Sequence, residues 1–135
     1  SGTNAGWAYN NFPYMGDNFL PPILLNENLY TVNKLFNDIG FIQFFHRLLA
    51  TLTLIYVLIT FFHLFKSKLK AIYFLAALVT VIAISQYLLG IIMLRLFVPI
   101  HLGLSHQLGS LILLSSLIIT KCEIIKRRAI NRPSF

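Results

Sequence analysis

The chain has 135 residues, of which 57% are hydrophobic and 11% charged, and its mean hydropathy is +0.75. This composition excludes an ordinary soluble domain. The formal net charge is +7, but most basic residues fall in two short clusters, at residues 66–70 and 121–132. The excess therefore predicts the orientation of a membrane protein, and we expect no nucleic-acid partner. The single cysteine, Cys122, excludes an internal disulfide.

Residues 1–40 are polar and rich in aromatic side chains, and glycines and prolines interrupt them too often for one continuous helix. Towards the end of this stretch, apolar residues recur at spacings of three and four. They predict an amphipathic helix at about residues 28–39 that lies on the outer membrane surface. The chain opens on Ser and shows no signal peptide, which predicts that it begins inside a longer protein.

Three apolar stretches are each long enough to cross a bilayer as a helix. They predict transmembrane spans at about residues 41–65, 71–94 and 99–120. Together the spans form a helical bundle over residues 41–125, and residues 126–135 form a basic inner-side tail. With three spans, both basic clusters lie on one side of the membrane. The positive-inside rule identifies that side as the cytoplasm or the mitochondrial matrix.

In the second span, Ala76, Ala83 and Gly90 recur every seven residues. Small residues at this spacing allow helix backbones to approach closely, which is a main source of helix association in lipid. We therefore expect this face of the second span to pack against its neighbours.

Two histidines lie at matching depths in the predicted bundle. His46 precedes Lys66 by 20 residues, and His106 precedes Lys126 by 20 residues. In helices, each histidine then lies about 30 Å from the inner charges, near the outer boundary of the hydrocarbon. Ionisable side chains are costly in a bilayer, so the pair favours a shared function, although hydrogen bonding between helices would also explain each histidine alone.

A haem is the ligand that this pair of histidines favours. Two nitrogen ligands without a nearby Cys, Asp or Glu are too few for a typical zinc or copper site, whereas a porphyrin supplies four further donors. His46 and His106 are therefore predicted as the axial ligands of a haem iron. Three small residues share the face of His106 and leave room for a flat macrocycle: Gly103, Gly109 and Ser110.

Other polar residues near the two histidines are candidates for contacts with the same cofactor. Arg47 and Arg95 are the outer-side arginines, and both can pair with haem propionates. Glutamines are unusual in spans, and either cofactor binding or bonds between helices explains the three present: Gln43, Gln86 and Gln107. We count Gln43 and Gln107 among the cofactor-binding candidates.

The remaining histidines and the acidic residues are weaker candidates. His63 lies about 25 Å along the helix from His46 and cannot share its iron. His101 is expected at the membrane interface or in support of the ligand. The four acidic residues lie outside the spans, so no catalytic residue is predicted in this chain: Asp17, Glu27, Asp38 and Glu123.

Four motifs carry a resemblance to a known family: N-A-G-W-A-Y-N-N-F-P-Y-M-G-D at residues 4–17, Q-F-F-H-R at 43–47, Q-Y-L-L-G-I at 86–91 and V-P-I-H-L-G-L-S-H-Q at 98–107. In this order and spacing they resemble the C-terminal half of haem A synthase, and more closely its alphaproteobacterial and mitochondrial branch. The resemblance implies a membrane oxidoreductase that oxidises a methyl group of haem O to a formyl group. The product, haem A, serves cytochrome oxidase biogenesis.

The resemblance also implies a fold and a cofactor. Proteins of this family contain two similar four-helix bundles, and the C-terminal bundle holds a haem b between two histidines, which correspond here to His46 and His106. The expected fold is thus an all-α integral membrane protein. Three transmembrane helices form an incomplete four-helix haem-binding bundle, accompanied by the outer-side amphipathic helix.

Partners and location follow from the same resemblance. Haem O would be bound by the N-terminal half, which is outside this sequence and carries an outer-loop glutamate. Membrane lipid, haem O synthase and cytochrome oxidase assembly proteins are the other implied partners. The expected location is the bacterial plasma membrane or the mitochondrial inner membrane. Two alternatives remain open: a cytochrome b-like membrane electron carrier, and a structural membrane subunit without a cofactor.

Overall fold

The structure is a computed structural model that describes residues 8–25, 32–65 and 70–130. Three long helices dominate the described residues: α3 (Ile39–Phe65), α4 (Lys70–Arg95) and α5 (Ile100–Ile130). Two short helices precede them, α1 (Pro22–Leu25) and α2 (Val32–Asn37). The three long helices are each long and apolar enough to cross a membrane. This confirms the prediction of an all-α membrane protein.

The start of α3 is determined by a capping residue, Asp38. Helix α3 begins at Ile39 because the carboxylate of Asp38 accepts a hydrogen bond of 2.7 Å from the backbone N–H of Phe41, which caps the first turn. Asp38 also separates α3 from α2. The predicted amphipathic helix at 28–39 is therefore helical over Val32–Asn37, and its first part, residues 28–31, lies outside the described residues.

Helix α5 continues to Ile130, about three turns beyond the predicted end of the third span near Thr120. The sequence contains no glycine or proline between Gly109 and Pro133 that would end it earlier. An ion pair between Glu123 and Arg127, one turn apart, supports this extension. The first part of the predicted basic tail is thus helical, and residues 131–135 lie outside the described residues.

Helix α4 is the central element, since it packs against both α3 and α5, which do not pack closely on each other. Its predicted face of small residues forms the interface: Ala76 is 6% exposed and Ala83 is 5% exposed. At mid-depth, Val57 of α3 and Val79 of α4 join Ala83 in a buried cluster. The cluster confirms the packing role of these small residues.

Residues 8–25, which we call the outer segment, lie across the ends of the helices near the α4–α5 turn. We call this end the outer end, following the predicted orientation. The side-chain amide of Asn10 donates a hydrogen bond of 2.8 Å to the carbonyl of Leu94 in the last turn of α4, which also accepts from the backbone N–H of Phe97 at 3.2 Å. Tyr9 packs closely on Gly40, where a Cβ would stand 2.9 Å from the tyrosine ring. The outer segment is therefore fixed to both α3 and α4.

Candidate functional site

The imidazole of His106 lies against Gly90 of α4. A Cβ at residue 90 would be 3.2 Å from Cε1 of the ring, 3.8 Å from Nε2 and 3.9 Å from Nδ1. The ring is half-buried in this contact, and Nδ1 is buried without a hydrogen-bond partner among the described residues. Glycine at position 90 thus creates the space that the His106 ring occupies.

A second contact of the same kind lies one turn further into the bundle. Gln86 of α4 covers Gly109 of α5 so closely that a Cβ at residue 109 would overlap the glutamine amide. Each helix therefore contributes one glycine and one polar side chain to this interface. Gly109 was predicted to leave room for a macrocycle, and in the structure the Gln86 side chain occupies the space beside it.

His46 lies on α3 at nearly the same depth as His106. The two depths can be compared along α4, because α4 packs against both α3 and α5. The hydroxyls of Thr51 on α3 and Tyr87 on α4 are 3.0 Å apart. Because α3 and α4 are antiparallel, His46 lies opposite about residue 92 of α4, while His106 contacts residue 90. The two histidines thus differ in depth by about 3 Å. His46 is exposed, and the ring of His106 is half-buried.

Arg47 holds the outer segment in place. Its guanidinium donates hydrogen bonds to the carbonyl of Tyr9 at 2.7 Å and to the carbonyls of Asn11 and Tyr14, each at 3.1 Å. The guanidinium also lies over the ring of Phe12, 5.9 Å from its centroid. A single side chain therefore contacts four residues of the irregular outer segment. The predicted contact of Arg47 with a propionate stays a prediction.

Gln43 supports the same attachment from one turn further out. It is only 5% exposed, and its amide nitrogen donates a hydrogen bond of 2.9 Å to the carbonyl of Tyr9. The amide oxygen is buried without a partner in the described residues. The sequence left cofactor binding and bonds between helices open for this glutamine. The bond that the structure shows is a third kind, to the outer segment.

Arg95, the other predicted propionate partner, lies at the outer surface. It donates a hydrogen bond of 3.3 Å to the carbonyl of Phe12 and borders a cavity of about 510 Å³ that the outer segment also lines. Gln107 is exposed on α5, next to His106. The remaining two histidines, His63 and His101, are also exposed, at the inner end of α3 and the outer start of α5.

Tyr87 and Thr51 are site residues that the sequence reasoning did not identify. Their hydroxyls join α3 to α4 directly beneath the two histidines, and Thr51 also donates to the carbonyl of Arg47 at 2.9 Å. The ring of Phe12 packs edge-on against Tyr87, with centroids 6.4 Å apart. Tyr87 directly follows Gln86 in its sequence motif. Its hydroxyl in an apolar span is the sequence feature that could have indicated a site residue.

The residues near the outer end supply donor types that a haem can use: two imidazoles for an iron and two arginines for propionates. Within the described residues, four buried polar atoms lack a hydrogen-bond partner: Gln43 Oε1, Arg47 Nε, Gln86 Oε1 and His106 Nδ1. All four belong to the outer half of the bundle, where unpaired polar groups are costly. The histidines come from α3 and α5, the two helices that pack against α4. No group of three or more His, Cys, Asp or Glu that could hold a bare metal ion occurs in this part of the chain.

The fold and the site define a class of protein: an all-α membrane protein in which the first and third described spans each carry a histidine near the outer end. Comparison with known proteins gives the family. A family model described as cytochrome oxidase assembly protein, COX15-CtaA, matches residues 1–118, and the chain belongs to this family. The family predicted from the four motifs is thereby confirmed.

Individual relatives agree with this assignment. The chain is 37% identical over 118 residues to "Heme A synthase" of Rickettsia prowazekii, a match that covers 87% of this chain and 35% of the relative. It is 36% identical over 127 residues to "Heme A synthase" of a Wolbachia from Brugia malayi, covering 94% of this chain and 36% of the relative. "Heme A synthase COX15" of Mus musculus is 37% identical over 117 residues, covering 85% of this chain and 28% of the relative.

The chain spans about a third of the length of the curated relatives that it matches. No solved structure matches it significantly.

Proposed function

We propose that this chain is the cofactor-binding, C-terminal part of a haem A synthase-like membrane oxidoreductase, which converts haem O to haem A for cytochrome oxidase biogenesis. In this proposal a haem b lies between α3 and α5, with His46 and His106 as the axial ligands of its iron. The observation that carries the proposal is the depth match of the two histidines along α4. Membership of the haem A synthase family supports it.

The bound haem would supply one-electron transfer, and the protein residues would hold it in place. Gly90 gives the His106 ring its position against α4. Thr51 and Tyr87 fix the separation of α3 from α4 just below the level of His46. These contacts would orient the two ligands separately, because each ligand-bearing helix packs against α4.

The outer segment would close the site from the aqueous side. Arg47 and Gln43 hold it through the carbonyl of Tyr9, and Asn10 holds it to the end of α4. Closure of this kind limits the access of water and so lowers the local dielectric constant around a cofactor. In this arrangement Arg47 acts through the outer segment, and Arg95, which borders the outer cavity, is the better placed partner for a propionate.

The substrate, haem O, would be bound by a part of the family protein outside this sequence, so we assign no catalytic residue here. Haem O synthase and cytochrome oxidase assembly proteins are the proposed protein partners. The proposed location is the bacterial plasma membrane or the mitochondrial inner membrane, with the basic residues on the cytoplasmic or matrix side.

Haem content tests the proposal. The chain is purified from membranes in mild detergent, and its haem is identified and counted as the pyridine haemochrome. We expect about one haem b per chain, and a loss of most of it in His46→Ala and in His106→Ala. His63→Ala is the matched control, since His63 is exposed on the same helix as His46 and lies about 25 Å from it, and this variant should keep its haem.

Two other results would favour the alternatives. A wild-type chain that carries no stoichiometric haem would support a structural subunit. A chain that binds haem b, from a gene whose complete product forms no haem A in cells that accumulate haem O, would support an electron carrier.

A further inference from the structure

A groove between α4 and α5 opens at the inner end of the bundle, far from the two histidines. Its volume is about 510 Å³. Phe74 and Leu75 of α4 and Ile118 and Ile119 of α5 form its apolar walls. The groove therefore offers an apolar channel at the depth of the inner lipid leaflet.

The inner rim of this groove is polar and positively charged. Lys126 and Cys122 of α5 line it and are exposed. Glu123 also lines the rim, but its carboxylate is paired with Arg127, which offsets its negative charge. Lys70, the exposed first residue of α4, directly precedes the groove residue Ala71. The rim thus presents cationic groups from both helices beside an apolar channel.

We propose that this groove binds one glycerophospholipid with an anionic headgroup. An acyl chain lies along Phe74 and Ile118, and the headgroup phosphate lies at the level of Lys126 and Lys70. Charge complementarity selects this occupant, because basic pockets between transmembrane helices attract anionic headgroups, and each lysine near the surface adds to the attraction. A lipid also satisfies both parts of the groove at once, whereas an apolar helix would leave the charged rim without a partner.

The site is independent of the proposed haem function. Cys122 and Lys126 lie beyond residue 118, where the match to the family model ends. Failure of the haem assignment would leave this lipid site unaffected, and the reverse is also true.

Native mass spectrometry of the full chain with a mixture of phosphatidylglycerol and phosphatidylcholine tests the proposal. We expect one phosphatidylglycerol to bind in preference to phosphatidylcholine. Lys126→Ala should weaken that binding roughly fivefold, the contribution of one lysine near an anionic headgroup. Lys121→Ala is the matched control, because Lys121 is exposed on the same helix and does not line the groove. It should change the binding by less than twofold.

A second variant tests the groove itself. Ile119→Trp fills the apolar channel without a change of charge, and it should abolish the bound lipid while the helix content stays the same. The single cysteine provides a further readout. In nanodiscs, phosphatidylglycerol should slow the alkylation of Cys122 by a maleimide severalfold relative to phosphatidylcholine alone.

Four results would overturn the proposal. The first is equal binding of the two lipids by the wild-type chain. The second is an equal effect of Lys126→Ala and Lys121→Ala, which would indicate a general attraction to a basic surface. The third is full binding of phosphatidylglycerol by the Ile119→Trp variant, which would place the lipid elsewhere. A protein segment that crosslinks to Cys122 in place of lipid would also overturn it.

Discussion

The ring of His106 on α5 packs against Gly90 of α4. Its carbon Cε1 lies only 3.2 Å from the position that a Cβ at residue 90 would take. This distance is shorter than ordinary van der Waals contact. One absent methyl group on the central helix thus fixes the position of a proposed haem ligand on its neighbour. The face of small residues on α4 has two functions: Ala76 and Ala83 pack the inner half of the bundle, and Gly90 receives an imidazole in the outer half.

Replacement of Gly90 by alanine should displace the His106 ring by a few tenths of an ångström, because the added methyl group meets the ring at 3.2 Å. We expect a lower haem content and a reduced-state absorption spectrum shifted from that of the wild type, with the helix content unchanged. Val81→Ala is the control on α4. Val81 is 61% exposed and lies nine residues from Gly90, so the spectrum of this variant should equal that of the wild type. Identical spectra for all three proteins would contradict the proposed seating of His106.

Arg47→Lys should release the outer segment although it preserves the charge. A lysine ammonium cannot reproduce the fork that donates to the carbonyls of Tyr9, Asn11 and Tyr14. The loss of one charge-assisted hydrogen bond corresponds to about 1.5–3 kcal/mol. Hydrogen exchange of residues 9–14 should become faster by at least tenfold, measured by mass spectrometry in detergent.

The control for this prediction is Arg95→Lys, which removes one longer hydrogen bond to the carbonyl of Phe12. It should change the exchange of the same residues much less. If exchange is as slow in Arg47→Lys as in the wild type, the outer segment is held by other contacts.

Tyr87→Phe should separate α3 from α4 at the level of the site, because it removes the hydroxyl that meets Thr51. Hydrogen bonds between transmembrane helices contribute about 0.6 kcal/mol on average, so we expect a loss of that order in the free energy of unfolding. Titration with sodium dodecyl sulfate, followed by circular dichroism, measures it. Tyr56→Phe is the control, since Tyr56 is 70% exposed on the same helix as Thr51. An equal loss in both variants would show that the Thr51–Tyr87 pair contributes nothing.

Asp38→Ala should destabilise the start of α3, since the Asp38 carboxylate caps the N–H of Phe41. The loss of such a cap costs about 0.5–2 kcal/mol. Asp17→Ala is the control, because it also removes one negative charge but at an exposed position in the outer segment. Thermal unfolding should distinguish the two, with a lower midpoint for Asp38→Ala alone. A midpoint equal to that of the wild type would show that α3 begins without help from this cap.

The sequence predicted the long helices and the similar depths of His46 and His106. Apolar length predicted spans at residues 41–65 and 71–94, and the corresponding helices are Ile39–Phe65 and Lys70–Arg95. Residue counts from the basic clusters gave His46 and His106 equal depths, and the contacts along α4 agree to about 3 Å. Hydropathy and helical rise act along one dimension of the chain, so both can be inferred from residue order alone.

Contacts across the fold were not predictable in the same way. Arg47 was expected near a propionate, yet its described partners are carbonyls of an irregular segment more than 30 residues away. No periodicity marks such a contact, since backbone carbonyls are present at every residue. The helical continuation of α5 to Ile130 was missed for another reason: charged residues end an apolar span without ending the helix.

The central claim is that His46 and His106 are the two axial ligands of one haem iron. Low-temperature electron paramagnetic resonance of the oxidised, haem-containing chain tests it most directly. We predict a low-spin ferric signal of the bis-histidine type, which His46→Ala and His106→Ala each convert to a high-spin signal, while His63→Ala leaves it unchanged. A low-spin signal of full amplitude in either His46→Ala or His106→Ala would contradict the claim.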